Sequence, residues 1–231
     1  MTLPAAHAGA APVARPFYRS PWVWAAVFGV LMLTALKTCS GRRLADLPDY
    51  GAVPDFSLVD QTGARFGSQD LAGHVWIASF IFTTCTTVCP KVSDANAELQ
   101  RRLAAEHPGP GGARLVTFTV DPEQDRPPVL AAYAKKYGAD PTRWSFLTTA
   151  DGTTAPLYEL IAKGFELAMG ERQQDSAGVT DISHSTKLVL VDAKGHKRYY
   201  FGSEEQDLTN LVAYARDYVA EAAKAAAEAK R

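Results

Sequence analysis

The chain has 231 residues, of which 47% are hydrophobic and 21% charged, enough for one sizeable globular core and an additional segment. Its 24 Lys and Arg side chains nearly balance its 25 Asp and Glu side chains, so no net field would attract nucleic acid or another polyanion. Three cysteines exclude a disulfide scaffold, and the sequence contains no phosphate-binding loop or dinucleotide glycine pattern.

The N-terminal part of the chain differs from everything after it. Residues 1–16 are rich in Ala and Pro and are predicted to be a disordered tail. Residues 22–36 are fifteen uncharged, almost wholly apolar residues, and as a helix they would extend about 22 Å. The hydrocarbon core is about 30 Å thick, but the flanking Arg19 and Lys37 can extend their charges to the interface. The sequence therefore predicts a single transmembrane anchor over residues 17–37.

The predicted anchor is expected to be retained, because no small-x-small cleavage site follows it. A short leading tail and a large following domain favour a cytoplasmic N-terminus, which would place the domain in the periplasm at the inner (cytoplasmic) membrane. Residues 38–53 are predicted to be a polar linker. Cys39 follows a lysine and a threonine, a poor context for lipidation, and is interpreted as an interfacial cysteine without a task.

Apolar runs and helical periodicities alternate over residues 54–218, which form the predicted globular domain. Prolines mark helix starts, glycines mark helix ends, and β-branched and aromatic runs mark strands. In chain order the sequence predicts strands over 55–60 and 74–83, a helix over 90–106, a strand over 114–120, a helix over 127–138, a strand over 145–149, a helix over 153–164, a loop over 170–180, strands over 186–192 and 196–202, and a helix from Glu205. Residues 219–231 are predicted to be a helical or disordered C-terminal tail.

This order of elements is typical of a thioredoxin-like α/β sandwich, in which helices flank a central mixed sheet. Here the N-terminal transmembrane anchor is added, and an insertion precedes the last strand pair. In that fold the reactive thiols lie in the turn where the second strand leads into a helix. Cys85 and Cys89 fall at that point. The fold therefore predicts that these two cysteines carry the chemistry.

Three uses of the Cys85–Cys89 pair are open: a disulfide switch, a peroxide-reactive thiol and a metal site. Pro90 suits the first turn of a helix and restricts the residue before it, so Cys89 is predicted to be the N-cap. Both sulfurs would then lie near the positive end of the helix, which lowers the pKa of both thiols. A disulfide needs Cβ atoms about 3.8 Å apart, whereas metal–sulfur bonds of about 2.3 Å each allow a wider separation, so the spacing slightly favours a metal.

His184 is the candidate third ligand. Thioredoxins carry a cis-proline before the penultimate strand, where it shields the thiols from metals. Here the matching stretch, DISHSTKLVLVD over 181–192, contains no proline and has His184 in that place. Two thiolates and one imidazole suit copper best, because sulfur ligands select Cu(I), and an added oxygen or water allows Cu(II). Zinc accepts the same ligands, but its structural sites usually close with a fourth, for which the sequence offers no candidate.

Three blocks in this order resemble the Sco (SenC) family of membrane-anchored copper proteins: FTTCTTVCPKV, FTVDPEQDRPPVLAAYAKKYGADPTRWSFLT and DISHSTKLVLVD. The resemblance covers residues 50–217. It implies a thioredoxin-like fold and copper delivery to the binuclear CuA centre of cytochrome c oxidase, or thiol reduction that prepares that centre. Carried over by position, it implies Cys85, Cys89 and His184 as the copper ligands.

The resemblance also implies partners and supporting residues. The CuA-bearing subunit of cytochrome c oxidase would receive the copper, and other copper carriers or thiol reductants would be further partners. Asp121 and Asp181 are candidates for groups behind the ligands that orient the imidazole or bias the oxidation state of the metal. Asp121 and Asp125 can equally be turn and N-cap residues of the helix that begins at Pro127.

Two classes of function are compatible with these residues. The first is a copper chaperone, which binds copper, transfers it by ligand exchange and is not an enzyme in the sense of turnover. The second is a periplasmic thiol–disulfide oxidoreductase, in which Cys85 attacks a disulfide of a partner protein and Cys89 resolves the mixed disulfide. A peroxidase is less favoured, because peroxide-reducing relatives place a lone reactive cysteine in a Thr/Cys pocket that is absent here.

Overall fold

The chain forms two compact units, residues 1–43 and residues 44–231. The predicted N-terminal tail and residues 40–47 of the predicted linker lie outside the part of the chain that the structure describes. The computed structural model describes residues 21–39, 48–109, 111–174 and 180–230.

Helix α1, Pro21–Cys39, is the described part of the first unit. Large apolar side chains on it are exposed, with Trp22 at 81% and Phe28 at 70% of full exposure. Among the described residues, no helix is at once long enough and apolar enough to pass through a bilayer. The anchor over residues 17–37 stays a prediction.

The second unit contains the predicted strands and helices in the predicted order, together with three strands that the periodicities do not predict, over Arg65–Gly67, Met169–Gln174 and Thr180–His184. Short helical turns of other kinds flank two of these elements, a 3₁₀ turn over Ser68–Leu71 and a π-helical turn over Leu160–Gly164. The elements are β1 (Ser57–Asp60), β2 (Arg65–Gly67), β3 (Trp76–Ile81), α2 (Cys89–Glu106), β4 (Arg114–Thr119), α3 (Pro127–Lys136), β5 (Trp144–Thr148), α4 (Ala155–Glu159), β6 (Met169–Gln174), β7 (Thr180–His184), β8 (Leu188–Val191), β9 (Lys197–Phe201) and α5 (Glu205–Ala229).

Seven of the strands form one sheet in the order β2-β1-β5-β4-β3-β8-β9. β4 pairs in parallel with β3 and with β5, and the other neighbours are antiparallel. The sheet is therefore mixed, as predicted. β3 and β8 are buried along their whole length, α2 contacts β3, and α5 contacts both α2 and β9. Helices thus cover the central strands, which confirms the predicted α/β sandwich.

The strand directions separate the start of the domain from the cysteines. β3 pairs with β8 so that Trp76, at the start of β3, lies opposite Val191, at the end of β8. Shortly after Val191, His196 forms an isolated antiparallel bridge with Ala52. Ile81, at the other end of β3, leads into the turn with the cysteines. The chain therefore joins the domain at the end of the sheet opposite the cysteine-bearing turn.

Strands β6 and β7 form a separate two-stranded antiparallel sheet. The loop predicted over 170–180 is therefore wrong for 170–174 and for Thr180, and 175–179 lie outside the described residues. The polar sequence of β6 has no apolar alternation, which is the signal that predicts a strand. Backbone pairing does not require such a stripe. Ile182, only 4% exposed, joins this hairpin to the main core.

Candidate metal centre

The turn between β3 and α2 carries both candidate sulfur ligands. The Cys85 N–H donates to Phe82 O at 3.2 Å, and the Cys89 N–H donates to Cys85 Sγ at 3.5 Å. Cys89 is the first residue of α2 and Val88 is its N-cap, so the prediction that Cys89 caps the helix is wrong by one residue. Pro90 at the second helical position is tolerated, because an N–H there would have no partner within the helix.

The two thiols differ in burial and in acidity. Cys89 is fully buried, and this burial raises the pKa of its thiol far above the ordinary value. Burial also raises the pKa of the half-buried Cys85, but hydrogen bonds with Cys89 and Thr87 outweigh it, so the pKa of Cys85 is lowered. The predicted acidification is therefore wrong for Cys89, because lost hydration outweighs the field of the helix end there.

His184, the last residue of β7, faces the sulfur of Cys89. Its Nε2 lies 3.5 Å from Cys89 Sγ, although the two residues are 95 positions apart. Its Nδ1 lies 3.0 Å from Ser185 O. A carbonyl oxygen can only accept, so Nδ1 carries the proton and Nε2 of the neutral ring carries the lone pair. The ring edge also contacts Phe82, with ring centroids 5.7 Å apart. The structure thus aims the Nε2 lone pair of His184 at the sulfur of Cys89.

The donor set fits a soft metal. Two cysteine sulfurs and an imidazole nitrogen whose lone pair points at one of them are ligands that Cu(I) prefers. Within the described residues, no three His, Cys, Asp or Glu side chains already surround a common metal position. Both thiols are free, and the proton of Cys89 must leave before its sulfur can bind a metal. Metal binding at this site would therefore be coupled to proton release.

Asp121 follows β4 directly, and its side chain is buried at 3% exposure. Its Oδ1 accepts a hydrogen bond from Arg172 Nη1 at 3.3 Å, whereas its Oδ2 has no hydrogen-bond partner within the described part of the chain. Burial raises the pKa of Asp121, and the Arg172 guanidinium opposes that rise. The backbone of Asp181 pairs with Gln173, and its side chain lies outside the described residues. The orienting roles of Asp121 and Asp181 stay predictions.

Asp125 supports the turn in a way that the sequence did not indicate. Its fully buried carboxylate accepts from the Thr83 N–H at 3.0 Å, from the Thr83 hydroxyl, and from the Thr119 hydroxyl at 2.5 Å. The N-cap of α3 is Arg126, so the N-cap interpretation of Asp125 is wrong. Asp125 instead ties the residue two positions before Cys85 to the end of β4.

A mixed sheet, a Cys-x-x-x-Cys turn at the start of a helix and a histidine that faces it from a separate hairpin define a thioredoxin-like protein with a candidate soft-metal site. The sequence model of the SCO1/SenC family matches residues 46–220. The chain therefore belongs to the SCO1/SenC family, which confirms the resemblance seen in its three sequence blocks.

Individual relatives agree with this assignment. The SCO1 protein homolog of Bacillus subtilis (strain 168) is 31% identical over 165 residues, which are 71% of this chain and 80% of the relative. BsSco is a member of the Sco family of cytochrome c oxidase assembly proteins in which a disulfide switch was identified. The solved structure of BsSco has 27% sequence identity to this chain and a TM-score of 0.63, and the match covers 76% of this chain and 96% of the BsSco chain. Bradyrhizobium japonicum ScoI, solved with copper bound, shares the fold at 21% identity and a TM-score of 0.61, covering 73% of this chain and 99% of its own.

Proposed function

We propose that this chain is a copper chaperone of cytochrome c oxidase assembly, which holds copper with Cys85, Cys89 and His184. The proposed acceptor is the CuA centre of the oxidase subunit that bears it. The observation that carries the proposal is the 3.5 Å approach of His184 Nε2 to Cys89 Sγ. Membership of the SCO1/SenC family, the role of BsSco in oxidase assembly and the copper in ScoI support it.

The three side chains have different tasks in holding the copper cargo. His184 offers the Nε2 lone pair without losing a proton, because Ser185 O retains the ring proton at Nδ1. Cys85 and Cys89 bind as thiolates, and the cost of deprotonation is larger for Cys89, whose pKa is raised by burial. Copper supplies a soft acceptor for both sulfurs. Copper affinity should therefore increase with pH.

Transfer by ligand exchange would begin at Cys85. This sulfur lies on a turn whose next three residues, Thr86 to Val88, are exposed, whereas Cys89 is fully buried. A thiolate of the acceptor can therefore approach the Cys85 side of the site. As that thiolate binds, the Cys85 thiolate leaves and takes up a proton from solvent, while Cys89 and His184 keep hold of the metal until a second exchange.

The ligand assignment is tested by titrating Cu(I) into the purified full-length chain against a competing chelator. The wild-type chain should bind a single copper ion, and Cys85→Ser, Cys89→Ser and His184→Ala should each lose affinity. His196→Ala is the matched control, because the His196 imidazole is hydrogen-bonded to Asp49 at the end of the sheet opposite the two cysteines. Full affinity in the His184→Ala chain would contradict the assignment.

A second candidate, a thiol–disulfide oxidoreductase, is favoured by the asymmetry of the thiols. Cys85 combines a lowered pKa with partial exposure, as an attacking thiol needs, and Cys89 lies beside it as the resolving thiol. The disulfide switch of BsSco is consistent with it. In this function the substrate disulfide is reduced to two thiols while Cys85 and Cys89 become a disulfide. The reduction rate of a disulfide-containing peptide should then be the same in the His184→Ala chain.

We also propose that α1 anchors the chain in the inner membrane, with the second unit in the periplasm. The exposed apolar side chains of Trp22, Trp24 and Phe28 support this proposal. The chain should stay in the membrane fraction after an alkaline carbonate wash and be cleaved by protease added to spheroplasts. Release by carbonate, or protection from the protease, would contradict it.

A further inference from the structure

The hairpin of β6 and β7 turns one face toward the domain. Arg172 lies directly opposite Ile182 in the register of the pair, and His184 follows Ile182 by two residues. Opposed side chains of an antiparallel pair project to the same face, and so do side chains two positions apart in one strand. Arg172, Ile182 and His184 therefore share a face. Because Ile182 is buried in the main core, this face is the one that meets the domain.

Two carboxylates from the loop between β4 and α3 bind Arg172. Its Nη1 lies 2.8 Å from Glu123 Oε2 and 3.3 Å from Asp121 Oδ1. The side chain of Glu123 is 59% exposed and that of Asp121 only 3%, so solvent screens the first contact much more than the second. Loss of Arg172 would leave a buried carboxylate without this cation, which costs more than loss of an exposed pair. The Arg172–Asp121 pair is therefore the stronger tie between the hairpin and the loop.

We propose that Arg172 is a positioning residue for His184: its ion pair with Asp121 holds the hairpin so that the imidazole stays within reach of Cys89 Sγ. The pairing of β6 with β7 transmits the restraint, since Arg172 opposes Ile182 and His184 continues the strand of Ile182. The hairpin is not part of the seven-stranded sheet, so no ladder of that sheet fixes it. The consequence for copper rests on the proposed function, whereas the restraint on the hairpin does not.

The restraint is tested without metal by amide hydrogen exchange of the full-length chain, followed by mass spectrometry over β7. Arg172→Ala should speed exchange there about five- to thirtyfold, and Arg172→Lys, which keeps the charge, should restore most of the protection. Arg102→Ala is the matched control, because the Arg102 side chain is 27% exposed, close to the 29% of Arg172, and pairs with carboxylates away from the hairpin. Unchanged exchange in Arg172→Ala, or an equal acceleration in Arg102→Ala, overturns the proposal.

The consequence for copper is tested by a double-mutant cycle with Cu(I) and a competing chelator. Arg172→Ala should weaken Cu(I) binding about tenfold. In the His184→Ala background it should cause no further loss, because the ligand that it positions is already absent. An equal loss in both backgrounds overturns the positioning role. If the wild-type chain binds no Cu(I), the proposed function fails, and hydrogen exchange still decides whether Arg172 restrains the hairpin.

Discussion

The sulfur side and the imidazole side of the candidate metal centre are held in different ways. The turn with Cys85 and Cys89 follows a strand that is paired on both of its edges, and Asp125 ties the start of that turn to β4. His184 lies on a two-stranded hairpin, which is attached to the rest of the domain through Ile182, Met169 and Arg172. This difference fits the proposed order of transfer: after the partly exposed Cys85 has been exchanged, the lightly held imidazole can leave at low cost in the second exchange.

The largest effect should come from weakening the fixed side. Asp125→Ala removes the buried acceptor of the Thr83 N–H and of the Thr83 and Thr119 hydroxyls, which we expect to lower the free energy of unfolding by about 3 kcal/mol. Asp94→Ala, at an exposed carboxylate of α2, is the control and should stay within about 0.5 kcal/mol of wild type. Unfolding in urea measures the free energy of unfolding of both variants and of the wild-type chain. If the Asp125→Ala chain loses less than about 1 kcal/mol, the turn is not fixed in this way.

Thiol reactivity should show how tightly the turn encloses its buried sulfur. Iodoacetamide should modify Cys85 about a hundredfold faster than Cys89, because Cys85 is partly exposed with a lowered pKa and Cys89 is buried with a raised one. Rates are measured in a Cys39→Ser chain by tandem mass spectrometry, which distinguishes modification of Cys85 from that of Cys89. The same chain unfolded in urea is the control, in which both cysteines should react at similar rates. Similar rates in the native chain would show that the turn opens freely.

The pH dependence of stability should reveal the buried carboxylate. Burial raises the pKa of Asp125, although hydrogen bonds from Thr119 and Thr83 oppose that rise. The folded chain thus binds this proton more tightly than the unfolded chain. The resulting stabilisation is complete below the unfolded pKa of about 4 and is lost as the pH rises through the folded pKa. The free energy of unfolding of wild type minus that of Asp125→Asn should therefore fall from about pH 3 to about pH 7, and a rising difference would contradict the assignment.

The smallest effect should appear on the hairpin side, as a response to salt. Raising the ionic strength from about 0.05 M to about 0.5 M screens the exposed Arg172–Glu123 contact and should speed amide exchange over β7 about twofold. Exchange over β3 should not change, since its backbone pairing carries no such ion pair. Equal salt responses of the two strands would remove the distinction between a fixed and a lightly held side.

The sequence predicted those elements whose burial is encoded in their own residues. The run WIASFI is buried throughout, as a continuous apolar strand should be, and the periodicity of 90–106 appears as α2. Because the strand and the helix were predicted, the turn between β3 and α2 was predicted too, and Cys85 and the first residue of α2, Cys89, lie there. The hairpin could not be predicted in the same way, because β6 is polar and pairs through its backbone.

The environment of the site depends on which residues meet in three dimensions, and single-chain patterns do not contain that information. Burial of Cys89 reverses the acidity expected from its place at a helix start. Asp125 turns inward although its sequence position suits an N-cap. A usable signal existed for Asp125: β3 and β4 are parallel neighbours, so the residues that follow them, Thr83 and the loop after Thr119, had to meet at one edge of the sheet.

The bridge between Ala52 and His196 determines how far the described start of the second unit lies from the two thiols. β3 has six residues, so roughly 20 Å of strand lies between the bridged end of the sheet and the turn. Within the second unit, Ala52 and the two sulfurs therefore lie at opposite ends of the sheet, about one strand length apart. If the proposed anchoring holds, shortening the segment before Ala52 would reduce the distance over which an acceptor can be reached and leave the proposed copper ligands unchanged.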